Sequence, residues 1–230
     1  TLGYENIFFQ NENFNDIVSE TNNTHTFYTE YEYNDKEKWY INLGFRANHY
    51  SLLDEIHIEP RIQIERKINS QLRLNFSAEQ NRQSLSKIIE FNTQNFGLEN
   101  QIWVLANNED KSILKSNQIT SGVNYQKNGW NIDLEGYLKK ISGLTSLTNG
   151  FTNSTNNYSE GESKIVGLDL LIKKKINNYR TFLSYSLTQN KSKFETINEG
   201  NSFRGNQDIS NSLSWSHSYK LNDFDFSLGW

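Results

Sequence analysis

Apolar and polar residues alternate one by one over long stretches of this chain, and this period of two constrains its fold more than any other feature. From Trp39 to Ala47 every odd position is aromatic or aliphatic. The same alternation runs from Ile56 and from Leu72, and from Ile209 a serine occupies every second position. Because successive side chains of a β-strand point to opposite faces, each stretch predicts a strand with one apolar face and one hydrated face.

The predicted strands are long. Eleven stretches follow the pattern, at 4–10, 24–33, 38–50, 56–67, 70–80, 115–126, 129–141, 163–174, 179–190, 209–219 and 223–230. Strands of soluble domains average about 5 to 6 residues. Twelve residues tilted by about 40° rise roughly 30 Å, which is enough to cross an apolar band about 25 Å tall. The strand length therefore favours a membrane over a soluble sandwich.

The links between these strands alternate in length. Short links lie at 34–37, 68–69, 127–128, 175–178 and 220–222, and longer links lie at 11–23, 51–55, 81–114, 142–162 and 191–208. Asn128-Gly129 is the strongest hairpin signal among the short links. Outer-membrane barrels have short periplasmic turns and long extracellular loops. The sequence thus predicts an all-β, antiparallel transmembrane β-barrel segment.

Composition excludes several classes of protein. The absence of cysteine excludes a disulfide scaffold and a thiolate metal site. A net charge of −4 argues against a nucleic-acid partner. The chain has no apolar run long enough for a transmembrane helix. It begins within the pattern at Thr1, without an initiator methionine or signal segment, and we expect it to be a piece of a longer polypeptide.

Several segments carry a family resemblance, in order and spacing, from about 24 to 230. They are 161–175, 179–188, 194–203, the Gly44-Phe-Arg46 stretch leading to Glu59-Pro-Arg61, and 130–141 with its Glu135-Gly-Tyr137. Together they resemble the barrel strands of TonB-dependent outer-membrane receptors of the Bacteroidetes type. The resemblance implies a barrel of about 22 strands filled by an N-terminal plug, and energised import of a scarce ligand such as a siderophore or an oligosaccharide.

The resemblance also implies a location and partners. The chain 1–230 is expected to be a C-terminal part of the barrel domain, without the plug, the TonB-contacting segment and the final strands. The implied partners are outer-membrane lipid, the receptor's own plug, the TonB complex, a surface lipoprotein and a small-molecule or oligosaccharide ligand. About half a barrel leaves two open sheet edges, which burial in a membrane does not allow.

Two other interpretations remain open. Phe224, Phe226, Leu228 and Trp230 alternate up to a terminal aromatic residue, as in the closing strand of many outer-membrane proteins. The chain would then be a small complete barrel that acts as an adhesin or a porin. A soluble β-sandwich or propeller that binds carbohydrate is the other alternative.

Charged residues lie on the polar faces of the predicted strands, and we expect them to point into the barrel lumen. They are Glu30, Arg46, Glu59, Arg61, Glu65, Arg73, Glu79, Asp133, Glu135 and Asp169. In a plugged receptor these groups would hydrogen-bond to the plug and to water, or they simply solvate a polar wall. Their mixed signs argue against a strongly ion-selective pore.

Aromatic residues of the long links are candidate ligand contacts, because rings among Asn, Ser and Thr suit stacking on a sugar or a siderophore. The expected contacts are Phe91, Trp103, Phe151, Tyr158 and Phe203. Packing of one loop on another is the alternative role. Phe96 and Phe194 lie in the same links.

No constellation points to catalysis, a cofactor or a metal. His25, His49, His57 and His217 are scattered, without metal-ligand spacing. The 107–110 stretch Asn-Asn-Glu-Asp imitates only part of a calcium loop. The 173–175 lysine run fits either anionic lipid head groups or a solvated strand end. The sequence therefore predicts a protein that is not an enzyme.

Overall fold

The computed structural model describes residues 1–12, 19–90, 103–107, 109, 111–148, 157–205 and 208–230. Its strands are β1 Leu2–Glu12, β2 Ser19–Asn34, β3 Trp39–Tyr50, β4 Glu55–Lys67, β5 Leu72–Gln83, β6 Leu85–Lys87, β7 Ile89–Glu90, β8 Trp103–Leu105, β9 Leu114–Lys127, β10 Trp130–Thr148, β11 Asn157–Ile176, β12 Tyr179–Phe194, β13 Asn211–Leu221 and β14 Phe224–Gly229. A short 3₁₀ turn spans Asn198–Gly200.

Eleven of these strands form one antiparallel sheet in which neighbours in sequence are neighbours in space. The order is β1-β2-β3-β4-β5-β9-β10-β11-β12-β13-β14. The predicted fold class and the predicted strand number are confirmed. Such a meander needs only local hairpin pairing, which is why the alternation along the chain was sufficient to predict it.

The register keeps the apolar positions of neighbouring strands in line. Leu43 of β3 lies opposite Ile62 of β4, and Ile62 lies opposite Ala78 of β5. Farther along the sheet, Leu134 of β10 lies opposite both Val123 of β9 and Leu170 of β11. Because a slip of one residue would turn a strand's apolar side chains to the other face, this pairing produces one apolar face and one polar face.

The short turns join the strands at one end of the sheet, which we call the short-turn end. Asn128 and Gly129 have φ values of 49° and 78°, as a type I′ turn requires. Lys36, Asn177 and Asn222 supply the left-handed residue in three other short turns. The opposite end, where the longer links emerge, is the long-link end.

Several strands extend farther toward the long-link end than the sequence predicted, among them β10, β11 and β12. β10 runs to Thr148, β11 starts at Asn157 and β12 ends at Phe194, so much of the expected 142–162 loop is strand. The register shifts between Ser142 and Leu144, and Gly143 between them has a φ of 78°. This bulge interrupts the period of two, which hid the continuation of the strand.

The expected 81–114 loop also contains secondary structure. β6 pairs antiparallel with β8, and β7 pairs in parallel with β10. Strands of two or three residues are too short to show a period, so the sequence pattern missed them. The small apolar cluster at the long-link end contains Tyr50, Ala106 and Ile113, with Leu53 packed against it.

The apolar face has no protein layer over it in the described part of the chain. Ile58 is 52% exposed, Leu138 is 56% exposed and Val166 is 50% exposed. A β-sandwich would bury these side chains under a second sheet, so the soluble sandwich does not describe this structure. None of the described residues forms a helix long and apolar enough to span a membrane.

Candidate functional site on the polar face

All ten charged residues predicted to line a lumen lie on the polar face of the sheet. The register places Arg46 opposite Glu59, Arg61 opposite Glu79, and Glu135 opposite Asp169. Arg73 faces Asn124, which in turn faces Asp133. Glu30 and Glu65 occupy the same face on β2 and β4. Both acids and bases occur on this face, so the polar face as a whole has no single sign of charge.

Glycines on the polar face make room for large side chains that lie across neighbouring strands. A Cβ at Gly167 would collide with the ring of Tyr137, and one at Gly44 would collide with the Arg61 stem. Tyr137 reaches past Gly167 to β12, where its hydroxyl lies 3.1 Å from Thr188 Oγ1. These contacts hold the polar side chains flat against the sheet.

Glu59 is the most deeply buried of the predicted charges, at 2% exposure. Its Oε1 accepts a hydrogen bond of 2.7 Å from the backbone N–H of Arg82. Thr26 of β2 donates to Asn48 Oδ1 of β3 at 2.7 Å, and on β4 itself Nε2 of His57 lies 2.7 Å from Oε2 of Glu55. Together these bonds form a rigid polar wall near the long-link end.

Glu30, Arg61, Glu79 and Glu135 come together around one cavity on the polar face, along with Asn42 and Thr120. Asn42 donates to Glu30 Oε1 at 2.6 Å. The side-chain oxygens of Asn42 and Asn75 and the Nε of Arg46 are buried without a partner among the described residues. Because a buried polar atom without a hydrogen bond is costly, these atoms indicate that water or another protein segment meets this face.

Three carboxylates form an acidic patch on β10 and β11. Asp133 and Glu135 follow each other on one face of β10, and Asp169 lies directly opposite Glu135. Asn124 donates to Asp133 Oδ2 at 3.3 Å and to Asn131 at 2.9 Å. No group of side chains within the described ranges is arranged to hold a metal ion.

The predicted loop contacts occupy different settings. Trp103 lies in β8 and is 44% exposed. Tyr158 lies in β11 rather than in a loop, a correction that follows from the strand extension beyond the bulge. Phe203 packs on Phe194, with ring centroids 6.4 Å apart, and forms a β-bridge with Ser192. The remaining aromatic residues of this set, Phe91, Phe96 and Phe151, lie outside the described residues.

Tyr158 borders a polar cleft at the long-link end that the sequence pattern did not reveal. The Lys111 ammonium lies 4.8 Å from the centroid of the Tyr158 ring, and Ser112 donates to Glu160 at 2.8 Å. Glu55 and Glu109 also line the cleft. These residues come from three separate links and strands, so no local signal could have grouped them.

His49 lies one residue before the end of β3, whereas His25 and His217 lie inside β2 and β13. His25 stacks between Tyr4 and His49, with centroid distances of 6.3 and 6.2 Å. His217 Nδ1 lies 2.6 Å from the Tyr179 hydroxyl. In the 107–110 stretch, Asn107 Oδ1 accepts the backbone N–H of Glu109 and of Lys111, which makes it part of a turn.

Solved structures share this fold over nearly the whole chain. The siderophore receptor PirA from Acinetobacter baumannii matches with a TM-score of 0.64 and 14% identity, covering 93% of this chain and 34% of that one. The FrpB iron transporter from Neisseria meningitidis has a TM-score of 0.68, 10% identity and coverages of 92% and 32%. The copper transporter OprC has a TM-score of 0.69, 13% identity and coverages of 97% and 40%.

These neighbours are TonB-dependent receptors, and the fold of this chain is that of a segment of their barrel. At such identities the likeness establishes the fold alone. The chain spans between 32% and 40% of the length of these three structures. No protein-family model and no curated protein matches the chain.

Proposed function

We propose that this chain is part of the barrel of an outer-membrane TonB-dependent receptor, of the Bacteroidetes type, that imports a scarce ligand by energised transport. The observation that carries the proposal is the exposed apolar face that runs across all eleven strands, opposite a face of charged groups. In water so large an apolar surface would associate. In a bilayer it is solvated by hydrocarbon, while the polar face lines the lumen.

The sheet edges support a larger barrel. Among the described strands, β1 and β14 each pair on one side only. An open edge in hydrocarbon leaves backbone groups without hydrogen bonds, which a membrane does not tolerate. Further strands of the same polypeptide therefore close the barrel, and the three unpartnered polar atoms on the lumen side support contact with a plug or with ordered water.

The ligand of this receptor is a siderophore, an oligosaccharide or a molecule of similar size. The cleft beside Tyr158 and the exposed ring of Trp103 lie at the long-link end, which is the extracellular end in this orientation. Rings and mixed charges there suit a polar ligand with flat faces. The TonB complex would act from the short-turn end, and a surface lipoprotein would cover the extracellular end.

Uptake by the intact receptor in cells tests the proposal. A strain that lacks the gene, and the same strain complemented with it, are given labelled ferric siderophores, copper, oligosaccharides and peptides. We expect at least one ligand to accumulate only in the complemented strain. A protonophore should abolish this accumulation, because the energy comes from the inner membrane.

The alternatives give different results in the same strains. A small porin would admit solutes whether or not the protonophore is present, and an adhesin would bind cells or surfaces without any uptake. A soluble carbohydrate-binding protein would be recovered in plain buffer after cell lysis. Uptake that is insensitive to the protonophore, or recovery in the soluble fraction, would contradict the transporter.

A further inference from the structure

The apolar band of the apolar face ends at the same level on four neighbouring strands. Its last members toward the long-link end are Ala78, Ile119, Leu138 and Val166, which the register places side by side. The next positions on the same face are polar or charged: Gln80, Asn117, Lys140 and Lys164. A boundary between hydrocarbon-compatible and hydrated side chains therefore crosses these four strands.

Lysines dominate the hydrated side of this boundary. We define the lysine row as Lys115, Lys140, Lys164, Lys191 and Lys193, all exposed on the apolar face of β9 to β12. Lys164 lies directly opposite both Lys140 and Lys191. Like charges directly opposite one another on a sheet are destabilising. An anion bound between these lysines would relieve that repulsion.

Glu162 is the one carboxylate of the described residues that forms an ion pair with this row. Its oxygens lie 2.7 Å from the Lys140 ammonium and 3.5 Å from the Lys164 ammonium. Lys193 lies opposite Glu162 in the register and, like Lys191, has no ion-pair partner within the described ranges. Glu160 lies two residues farther along the same face of β11. Two carboxylates against five ammonium groups still leave the row with a net positive charge.

A groove runs along the apolar face just below the lysine row. Its floor and walls include Ile62, Ala78, Ile119, Leu138 and Val166, and Lys140 and Lys164 lie at its upper edge. The small side chain of Ala78 between larger neighbours creates the depression. An apolar groove that ends at two cations is complementary to an acyl chain with an anionic head group.

The height of the lysine row fits a lipid head group. On β11 the apolar positions Val166 to Ile172 lie between Lys164 at one end and Lys174 at the other. Ten residues of tilted strand between these lysines rise about 26 Å, close to the roughly 25 Å apolar band of outer-membrane barrels. Lys164 therefore lies at the level where phosphate groups of the extracellular leaflet are found.

We propose that the lysine row and the groove below it bind a phosphorylated glycolipid of the outer leaflet, with its phosphate on Lys140, Lys164 and Lys191 and an acyl chain in the groove. This inference rests on the proposed membrane orientation. It assigns to the apolar face a specific lipid partner, separate from the transported ligand.

Lipid binding to the full-length receptor in detergent tests the site, with diphosphoryl lipid A as the probe and native mass spectrometry as the measurement. The Lys140→Gln/Lys164→Gln double variant should bind the probe at least about tenfold more weakly, because each lysine contributes head-group attraction. The matched control is Lys139→Gln/Lys173→Gln, whose lysines lie on the polar face of the same two strands. It should bind like the unaltered receptor.

Two further probes test whether the site recognises a lipid-bound phosphate rather than free phosphate, and a third variant tests whether the groove contributes to binding. Lipid A without its phosphates should bind weakly to the unaltered receptor, and inorganic phosphate at equal concentration should not displace the intact lipid. Ala78→Phe should weaken binding by filling the groove. Equal affinity of the double variant and its control, or equal affinity for both lipids, would overturn the site.

A spin label at Leu170→Cys in the same samples separates this proposal from the proposed function. A label that is accessible to oxygen and protected from a water-soluble nickel reagent lies in hydrocarbon. If it does and lipid binding is unchanged by the double variant, the lipid site is wrong and the receptor orientation stands. If the label lies in water, the orientation itself is wrong and the lipid site fails with it.

Discussion

The two faces of this sheet are built on the same strands but are held by different interactions. On the apolar face side chains such as Leu168 and Leu187 are exposed and make no hydrogen bonds, so their chemical character matters more than their identity. On the polar face Glu59, Tyr137 and Arg61 are fitted to particular neighbours. One face is therefore specified by its solvent and the other by its contacts.

The largest effect that tests this difference is expected at two adjacent residues of β11. Leu170→Arg places a charge in the middle of the apolar face, and at the bilayer midplane this costs ~2–4 kcal/mol. Asp169→Arg alters the polar face one residue away and should be mild, unless that position meets the plug. The measurement is the free energy of unfolding of the full-length receptor from lipid vesicles.

Equal tolerance of arginine at 169 and 170 would mean that the two faces do not differ in solvent, and the assigned orientation would then be wrong. Leu170→Val serves as a control for the loss of leucine, since it shortens the side chain without adding charge.

A smaller effect is expected from two glycines of the central strands. Gly167→Ala places a methyl group against the Tyr137 ring and threatens its hydrogen bond to Thr188. Overpacking of this kind costs about 1–3 kcal/mol. Gly136→Ala, on the apolar face, meets its nearest atom at 3.8 Å and should be neutral or slightly stabilising.

Thermal unfolding of the two glycine variants in detergent provides the measurement. Tyr137→Phe/Gly167→Ala removes the hydroxyl and separates steric strain from the lost hydrogen bond. If Gly136→Ala were the more damaging of the pair, the polar face would not be the tightly fitted one.

The smallest effect concerns Asp35 in the first short turn. Its Oδ1 accepts hydrogen bonds from the backbone N–H groups of Glu37, Lys38 and Trp39 at 2.9, 2.7 and 2.8 Å. The hydrogen bond from Trp39, followed by that from Lys38, lowers the pKa of this carboxyl below its ordinary 3.8. A depressed pKa means that the carboxylate stabilises the folded state above about pH 4 and that this contribution is lost as the pH falls further.

Asp35→Asn should therefore be slightly less stable than the unaltered receptor at neutral pH, and the two should converge in acid. Glu37→Gln is the control, because the Glu37 side chain accepts none of these backbone hydrogen bonds. Melting temperatures measured from pH 7 to pH 3 give the comparison. A difference that stays constant over this range would show that the charge of Asp35 plays no part in the turn.

Much of this fold was predictable because alternation and turn chemistry are local. The Asn128-Gly129 turn required no knowledge of distant residues. The strand at Tyr179 begins where the pattern placed it, and the strand at Trp39 begins within one residue of its predicted start. Among the candidate residues, the face on which each of the ten charged side chains lies followed from its odd or even position within its strand. The bulge at Gly143 and the brief pairing of β7 with β10 were missed because each breaks the period or is too short to have one.

The alternation along the chain was enough to predict the eleven strands that follow one another in the large sheet, its two chemically different faces and the end at which the short turns lie. Which side chains meet across strands depends on the pairing of the folded sheet. The Tyr158 cleft joins links that are far apart in the chain, and the lysine row joins β9 to β12 at one level. The face on which a side chain lies depends on its position within its own strand, whereas its neighbours on that face depend on the register between strands.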